Sequence, residues 1–154
     1  MRTAQQWFDA YSQDHRNATN RLIHWICVPT ILWCVIAALW IIPVPPQFVR
    51  QGAWAVLAMF LSFLFYYRTS RAIGLGMAVV FVAFALITHY AYLALGFTHL
   101  AWLAAVLFVL AWIGQFVGHK IEGHKPSFLT DLTYLLVGPA WLLGKIMRRV
   151  GLRY

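Results

Sequence analysis

The chain has 154 residues, 62% of them hydrophobic and 10% charged, with a mean hydropathy of +0.71 and a net charge of +8. So apolar a composition lies outside the range of a water-soluble domain and predicts a single, all-α integral membrane bundle. The 12 Lys and Arg gather at the chain ends and in the breaks between apolar runs, which suits anionic lipid head groups; a nucleic-acid reader needs its charge on a solvated face, so nucleic acid is set aside as a partner.

Residues 1–22 are polar and carry Trp7, Phe8 and Tyr11 among charges. They read as an amphipathic segment of the mature fold rather than a secretory signal. The first apolar run, 23–42, is long enough to span a membrane and stops at Pro43-Val44-Pro45-Pro46, where missing donors and fixed backbone angles end a helix. Pro29 removes one hydrogen bond from its first turns and is expected to bend it slightly. A second run, 52–67, closes on the aromatic exit Phe65-Tyr66-Tyr67 ahead of Arg68 and Arg71, as at a membrane interface. Runs 72–95 and 100–117 flank Gly96-Phe97-Thr98-His99, a turn without Lys or Arg, and predict a helical hairpin. Four transmembrane helices are therefore expected, followed by a histidine- and glutamate-bearing loop over 118–131. The last apolar stretch, within 132–147, is broken by Gly138-Pro139 and too short to span a hydrocarbon core of roughly 30 Å; it reads as interfacial or re-entrant.

Basic residues orient the bundle. Arg2, Arg16, Arg21, Arg68, Arg71, Lys120 and Lys125 fall on one side and Arg50 alone on the other, which predicts both termini at the cytoplasmic face. A fifth crossing would carry Lys145, Arg148, Arg149 and Arg153 to the wrong side. The composition suits a bacterial inner membrane, which the short tail favours over the endoplasmic reticulum. Cys27 and Cys34 would sit about 10 Å apart on one helix, too far for a disulfide, and read as packing residues.

This topology sorts the six histidines. His15, His24, His119 and His124 fall at the cytoplasmic face, whereas His99 lies in the opposite turn and His89 about 26 Å along the third helix. On one unbroken helix His15 and His24 would stand about 13 Å apart on opposite faces. The run from Asn17 to Asn20 is rich in capping residues, however, and a corner there would bring the rings together. Asn17 and Asn20 read most simply as caps, as does Asp131. His119 and Glu122, at i and i+3, share a helical face at a spacing used by metal-binding pairs in bundles. Glu122 is one of four acids, and a carboxylate near lipid needs a partner or a metal. His89, His99 and His124 read as snorkelling or hydrogen-bonding residues.

The pattern His15…Asn20…His24…Pro29, with Gln115-Phe116-Val117-Gly118-His119-Lys120-Ile121-Glu122-Gly123…Lys125-Pro126-Ser127-Phe128 and the later Gly138-Pro139, resembles the small multi-pass membrane family of 2-hydroxy fatty acid dioxygenases. The resemblance implies an iron(II)-dependent α-oxidation that shortens a 2-hydroxy fatty acid by one carbon with dioxygen. It implies His15, His24 and His119 as iron ligands, Glu122 as a ligand or base, and Asn20 beside it in the catalytic group; in other members the histidine-to-glutamate spacing runs one residue longer. The chemistry fits, since oxygen-activating iron(II) takes imidazole and carboxylate ligands and keeps open positions. Arg16, Arg21, Lys120 and Lys125 are candidates for drawing in the substrate carboxylate, although interfacial anchoring explains them as well. Two rival readings are a haem-binding electron carrier with His24 and His119 as axial ligands, and a non-catalytic scaffold or channel.

Overall fold

The structure is a computed structural model that describes residues 3–45, 47, 50–123, 125 and 132–154. The expectations for His124 and Asp131 lie outside the described residues. Five helices hold most of the chain: α1 (Ala4–Gln13), α2 (Ala18–Ile41), α3 (Ala53–Thr69), α4 (Arg71–Glu122) and α5 (Tyr134–Arg149). The fold is all-α, as the composition predicts.

Helix α1 starts with a capping box. The Thr3 hydroxyl accepts from the Gln6 amide, and the Gln6 side chain accepts from the Thr3 amide. Ala4, Phe8 and Tyr11 recur on one face and are buried against α5 and the chain after it, through Phe8 on Gly144 and Tyr154 and Tyr11 on Trp141. The chain breaks at 14–17 and restarts with Asn17 as N-cap, its side chain accepting from the Thr19 and Asn20 amides. The corner between His15 and His24 therefore exists, a little earlier than expected, and Asn20 is a buried helical residue rather than a cap.

Helix α4 is apolar all round and contains one break, at Gly96, whose φ of 70° lies where L side chains are strained. The expected four-residue turn is thus taken up by a single glycine. The helix resumes at once, and His99 Nδ1 donates to the Leu95 carbonyl across the break. Contacts give the direction of each arm. Gly118 lies against Asn20 and Gly114 against Cys27, whereas Leu100 and Ala104 pack with Ala37 near the other end of α2. The arm after Gly96 is therefore antiparallel to α2. The arm before it runs the opposite way, with Phe81 beside Tyr66 and His89 beside Trp40. Helix α3 begins with Gly52 under the Trp40 ring and ends with Tyr66 Oη donating to the Leu136 carbonyl at 2.8 Å. The result is an up-down-up-down arrangement of four long segments, with α1 and α5 packed across one end.

Two helices, Ala18–Ile41 and Arg71–Glu122, are long and apolar enough to cross a membrane, and Ala53–Thr69 is a shorter apolar helix. Large apolar side chains face outward along them, among them Val79, Leu93 and Trp102. Close approach rather than bulk holds the segments together where small residues meet. A Cβ at Gly114 would lie 2.7 Å from Cys27 Sγ, which accounts for that cysteine as a packing residue. Both cysteines are buried and free.

Candidate metal centre

The break at 14–17 folds His15 back over the first turns of α2, and the last turns of α4 bring His119 to the same place. All three histidines are at least 95% buried. One ring nitrogen from each lies within 4.8 Å of the others. Ring centroids are 4.3 Å apart for His15 and His24, 5.1 Å for His15 and His119, and 5.0 Å for His24 and His119.

Main-chain carbonyls settle which nitrogens carry protons. His15 Nδ1 donates to the Tyr11 carbonyl at 2.6 Å, and His24 Nδ1 donates to the Asn20 carbonyl at 2.9 Å. A carbonyl only accepts, so in the neutral rings both Nε2 atoms bear lone pairs. Those two atoms face each other at 2.9 Å. Two lone pairs so close repel unless a cation or proton draws them together. Two nitrogen ligands at about 2.0–2.1 Å from one ion, at right angles, lie about 3 Å apart. Burial lowers the His15 pKa to about 4, with His119 acting in the same direction, so a proton is not what joins them at neutral pH. His119 Nδ1 is also buried without a hydrogen-bond partner. A neutral, oriented imidazole set with an orphaned nitrogen fits a metal ion.

Glu122 lies beside this cluster with its carboxylate turned to other donors. It accepts from the Arg16 amide at 2.8 Å, from the Asn17 amide at 3.0 Å and from Asn20 Nδ2 at 2.9 Å. The end of α4 is thereby tied to the start of α2, where a negative charge also complements the helix dipole. Asn20 is the link, since its side chain holds Glu122 and its carbonyl orients His24. Gly118 permits this approach: a Cβ there would overlap Asn20 Oδ1. The structure thus brings together His15, His24 and His119, with Asn20 and Glu122 bracing them. Arg16, Lys120 and Lys125 are exposed and Arg21 is half-buried. None of the four lines the cavity described next.

A cavity of about 320 Å³ opens from His24 and His119 between α2, α4 and α5, walled by Val28, Ile31, Leu32, Phe108 and their neighbours. Two residues with no role in the sequence reading also line it, Tyr11 and Gln115. Tyr11 stacks on His15 at 4.1 Å between centroids and meets Trp141 edge-on. Trp141 in turn is fixed by its Nε1 donating to Ser12 Oγ at 2.8 Å. The available signal was spacing: each sits four residues before a clustered histidine, on the same helical face. His89 and His99 are exposed at the far end of the bundle.

Fold and site together define an all-helical protein whose buried histidine cluster is able to hold a metal ion beside an apolar cavity. The chain matches the family described as 2-hydroxy-palmitic acid dioxygenase Mpo1-like over residues 1–150, and it belongs to that family. No curated protein and no solved structure matches it.

Proposed function

We propose that the protein is a membrane-embedded, iron(II)-dependent dioxygenase that shortens 2-hydroxy fatty acids by one carbon. The observation that carries this reading is the pair of His15 and His24 lone pairs facing each other at 2.9 Å, with His119 completing a triangle that opens onto an apolar cavity. The family's description supplies the substrate class.

In this reading His15, His24 and His119 hold the metal. Iron(II), when bound, supplies the redox chemistry that dioxygen requires and keeps coordination positions for oxygen and substrate. The protein's own part is orientation. The Tyr11 and Asn20 carbonyls fix the ring tautomers, and burial keeps the imidazoles neutral. Glu122 and Asn20 are positioning residues that hold the His15 corner against α4. The cavity takes the acyl chain, excludes water from it and leaves the 2-hydroxy carboxylate at the histidines. Arg16, Arg21, Lys120 and Lys125 give this end of the molecule a positive field that draws a fatty carboxylate. A haem clamped between His24 and His119 has no room, because the His15 ring packs against both.

The membrane placement follows the same logic. Helix α2, helix α3 and the two arms of α4 form four crossings, with both termini and the site at the cytoplasmic face. A fatty acid then reaches the cavity from the lipid.

The test is metal content and oxygen uptake of detergent-purified protein prepared without air and reconstituted with iron(II). Near-stoichiometric iron and oxygen consumption dependent on a 2-hydroxy acid are expected. Protein that takes up no metal under these conditions would sink the dioxygenase reading and favour a non-catalytic membrane role.

A further inference from the structure

Besides the histidines, Tyr11, Ser62, Gln115 and Tyr134 bring polar groups to the apolar wall of the cavity, and of these four Tyr11 and Gln115 are buried. Tyr11 is 7% exposed and Gln115 is 6% exposed. Neither the Tyr11 hydroxyl nor the Gln115 amide hydrogen-bonds to any of the described residues. A polar group that opens onto an apolar cavity needs a partner there, so these two mark the position of a ligand's polar end.

Their placement agrees. Gln115 stands one helical turn before His119 and Tyr11 one turn before His15, so both lie at the histidine end of the cavity. The Tyr11 ring is held between His15 and Trp141, and its hydroxyl rests over Gly138, 3.2 Å from where a Cβ would be. Gln115 projects from the middle of a continuous helical arm.

We infer that Tyr11 and Gln115 form the subsite that reads the head of the substrate, Gln115 recognising the 2-hydroxyl group and Tyr11 donating to the carboxylate; this rests on the dioxygenase reading. The chemistry divides the roles. A hydroxyl both donates and accepts, and a carboxamide is the side chain that answers with both. A carboxylate only accepts, so its partner must remain a donor. The Tyr11 phenol O–H, at the histidine end of the cavity, is such a donor. An unsubstituted fatty acid would leave the Gln115 amide unpaired in an apolar pocket, which is how a site that hydrogen-bonds a substrate hydroxyl rejects the analogue lacking it.

The experiment is equilibrium binding of a 2-hydroxy acid and the unsubstituted acid of equal length. Both are titrated without oxygen into iron-loaded wild type, Gln115→Leu, Gln115→Met and Tyr11→Phe, with iron content measured alongside. Wild type is expected to prefer the 2-hydroxy acid by about tenfold or more. The Gln115 variants should keep iron yet bind both acids alike, and Tyr11→Phe should weaken both by a similar factor. Iron-replete Gln115 variants that retain the preference, or a Tyr11→Phe protein that binds both acids as wild type does, would overturn the assignment. Loss of iron in both Gln115 variants would also overturn it, by giving Gln115 a structural role. A wild type that binds neither acid removes the dioxygenase reading itself; one that binds and turns over the 2-hydroxy acid while the variants keep its preference removes only this subsite.

Discussion

The two ends of the bundle carry the same residue type to opposite effect. At one end His15, His24 and His119 are buried, two of them oriented by main-chain carbonyls, and their rings lie within about 5 Å of each other. At the other end His89 and His99 are exposed; His99 bonds the carbonyl of its own preceding turn, and His89 lies 6.0 Å from the Trp40 ring. Histidines at the end of an apolar bundle are thus no site in themselves. What makes one is convergence of separate elements, with a carbonyl behind the His15 and His24 rings to aim their free nitrogens inward.

The largest effect should come from breaking that convergence. His24→Ala and His119→Ala are each expected to abolish iron retention and oxygen uptake, whereas His89→Ala and His99→Ala leave both unchanged; metal analysis of the four proteins checks this. Glycines separate the ends next. Gly118→Ala forces a Cβ into Asn20 Oδ1, so it should destabilise by about 1–3 kcal/mol and lower iron affinity. Gly96→Ala meets nothing within 4 Å and bears only the strain of an extended backbone at positive φ, about 1–3 kcal/mol, with iron affinity kept. Thermal unfolding paired with iron titration distinguishes them.

Glu122→Gln sharpens the assignment of roles. It keeps the shape but loses the charge that accepts from the Arg16 and Asn17 amides. A bracing residue of this kind is expected to lower metal affinity about 10–100-fold without abolishing binding. Iron lost as completely as in His24→Ala would instead make the carboxylate a direct ligand.

Much of this arrangement was legible in the sequence, and the rest was not for identifiable reasons. Hydropathy shows the apolar runs, because helices that are apolar around their whole circumference leave unbroken apolar stretches. The hairpin at Gly96 shows as well, although residues 97–99 prove helical because one glycine takes the entire reversal. The corner between His15 and His24 was visible as a cluster of capping residues but misplaced by a few positions. Asn17 and Asn20 look alike as caps, and only the fold shows that Asn17 takes the cap while Asn20 is buried against Gly118. The partners of Glu122 were beyond reach for a different reason. Two are main-chain amides more than 100 residues away, and backbone donors leave no trace in a residue pattern. Tyr11 and Gln115 gain meaning only once a cavity exists for them to line.

The smallest effect concerns charge, where the ends differ most. The far end carries Arg50 as its one basic residue among those described, whereas Lys145 on α5 shares its surroundings with Arg21, Arg148 and Arg149 and stands 3.4 Å over the Trp141 ring. Burial, then the charges of Arg21, Arg149 and Arg148, lower the Lys145 pKa to about 8. Because the folded-state value lies below that of the unfolded chain, the unfolded chain binds more protons between the two. The charged lysine therefore opposes folding at neutral pH, and stability should rise as pH increases from about 8 towards the ordinary lysine value. Lys145→Met is expected to raise the unfolding temperature slightly at pH 7 and to remove that rise at alkaline pH. An unfolding temperature that falls in the variant, with the alkaline rise intact, would mean that the ammonium's position over Trp141 outweighs repulsion from the three arginines. Charge crowding would then be no burden on the end of the bundle that holds the histidines.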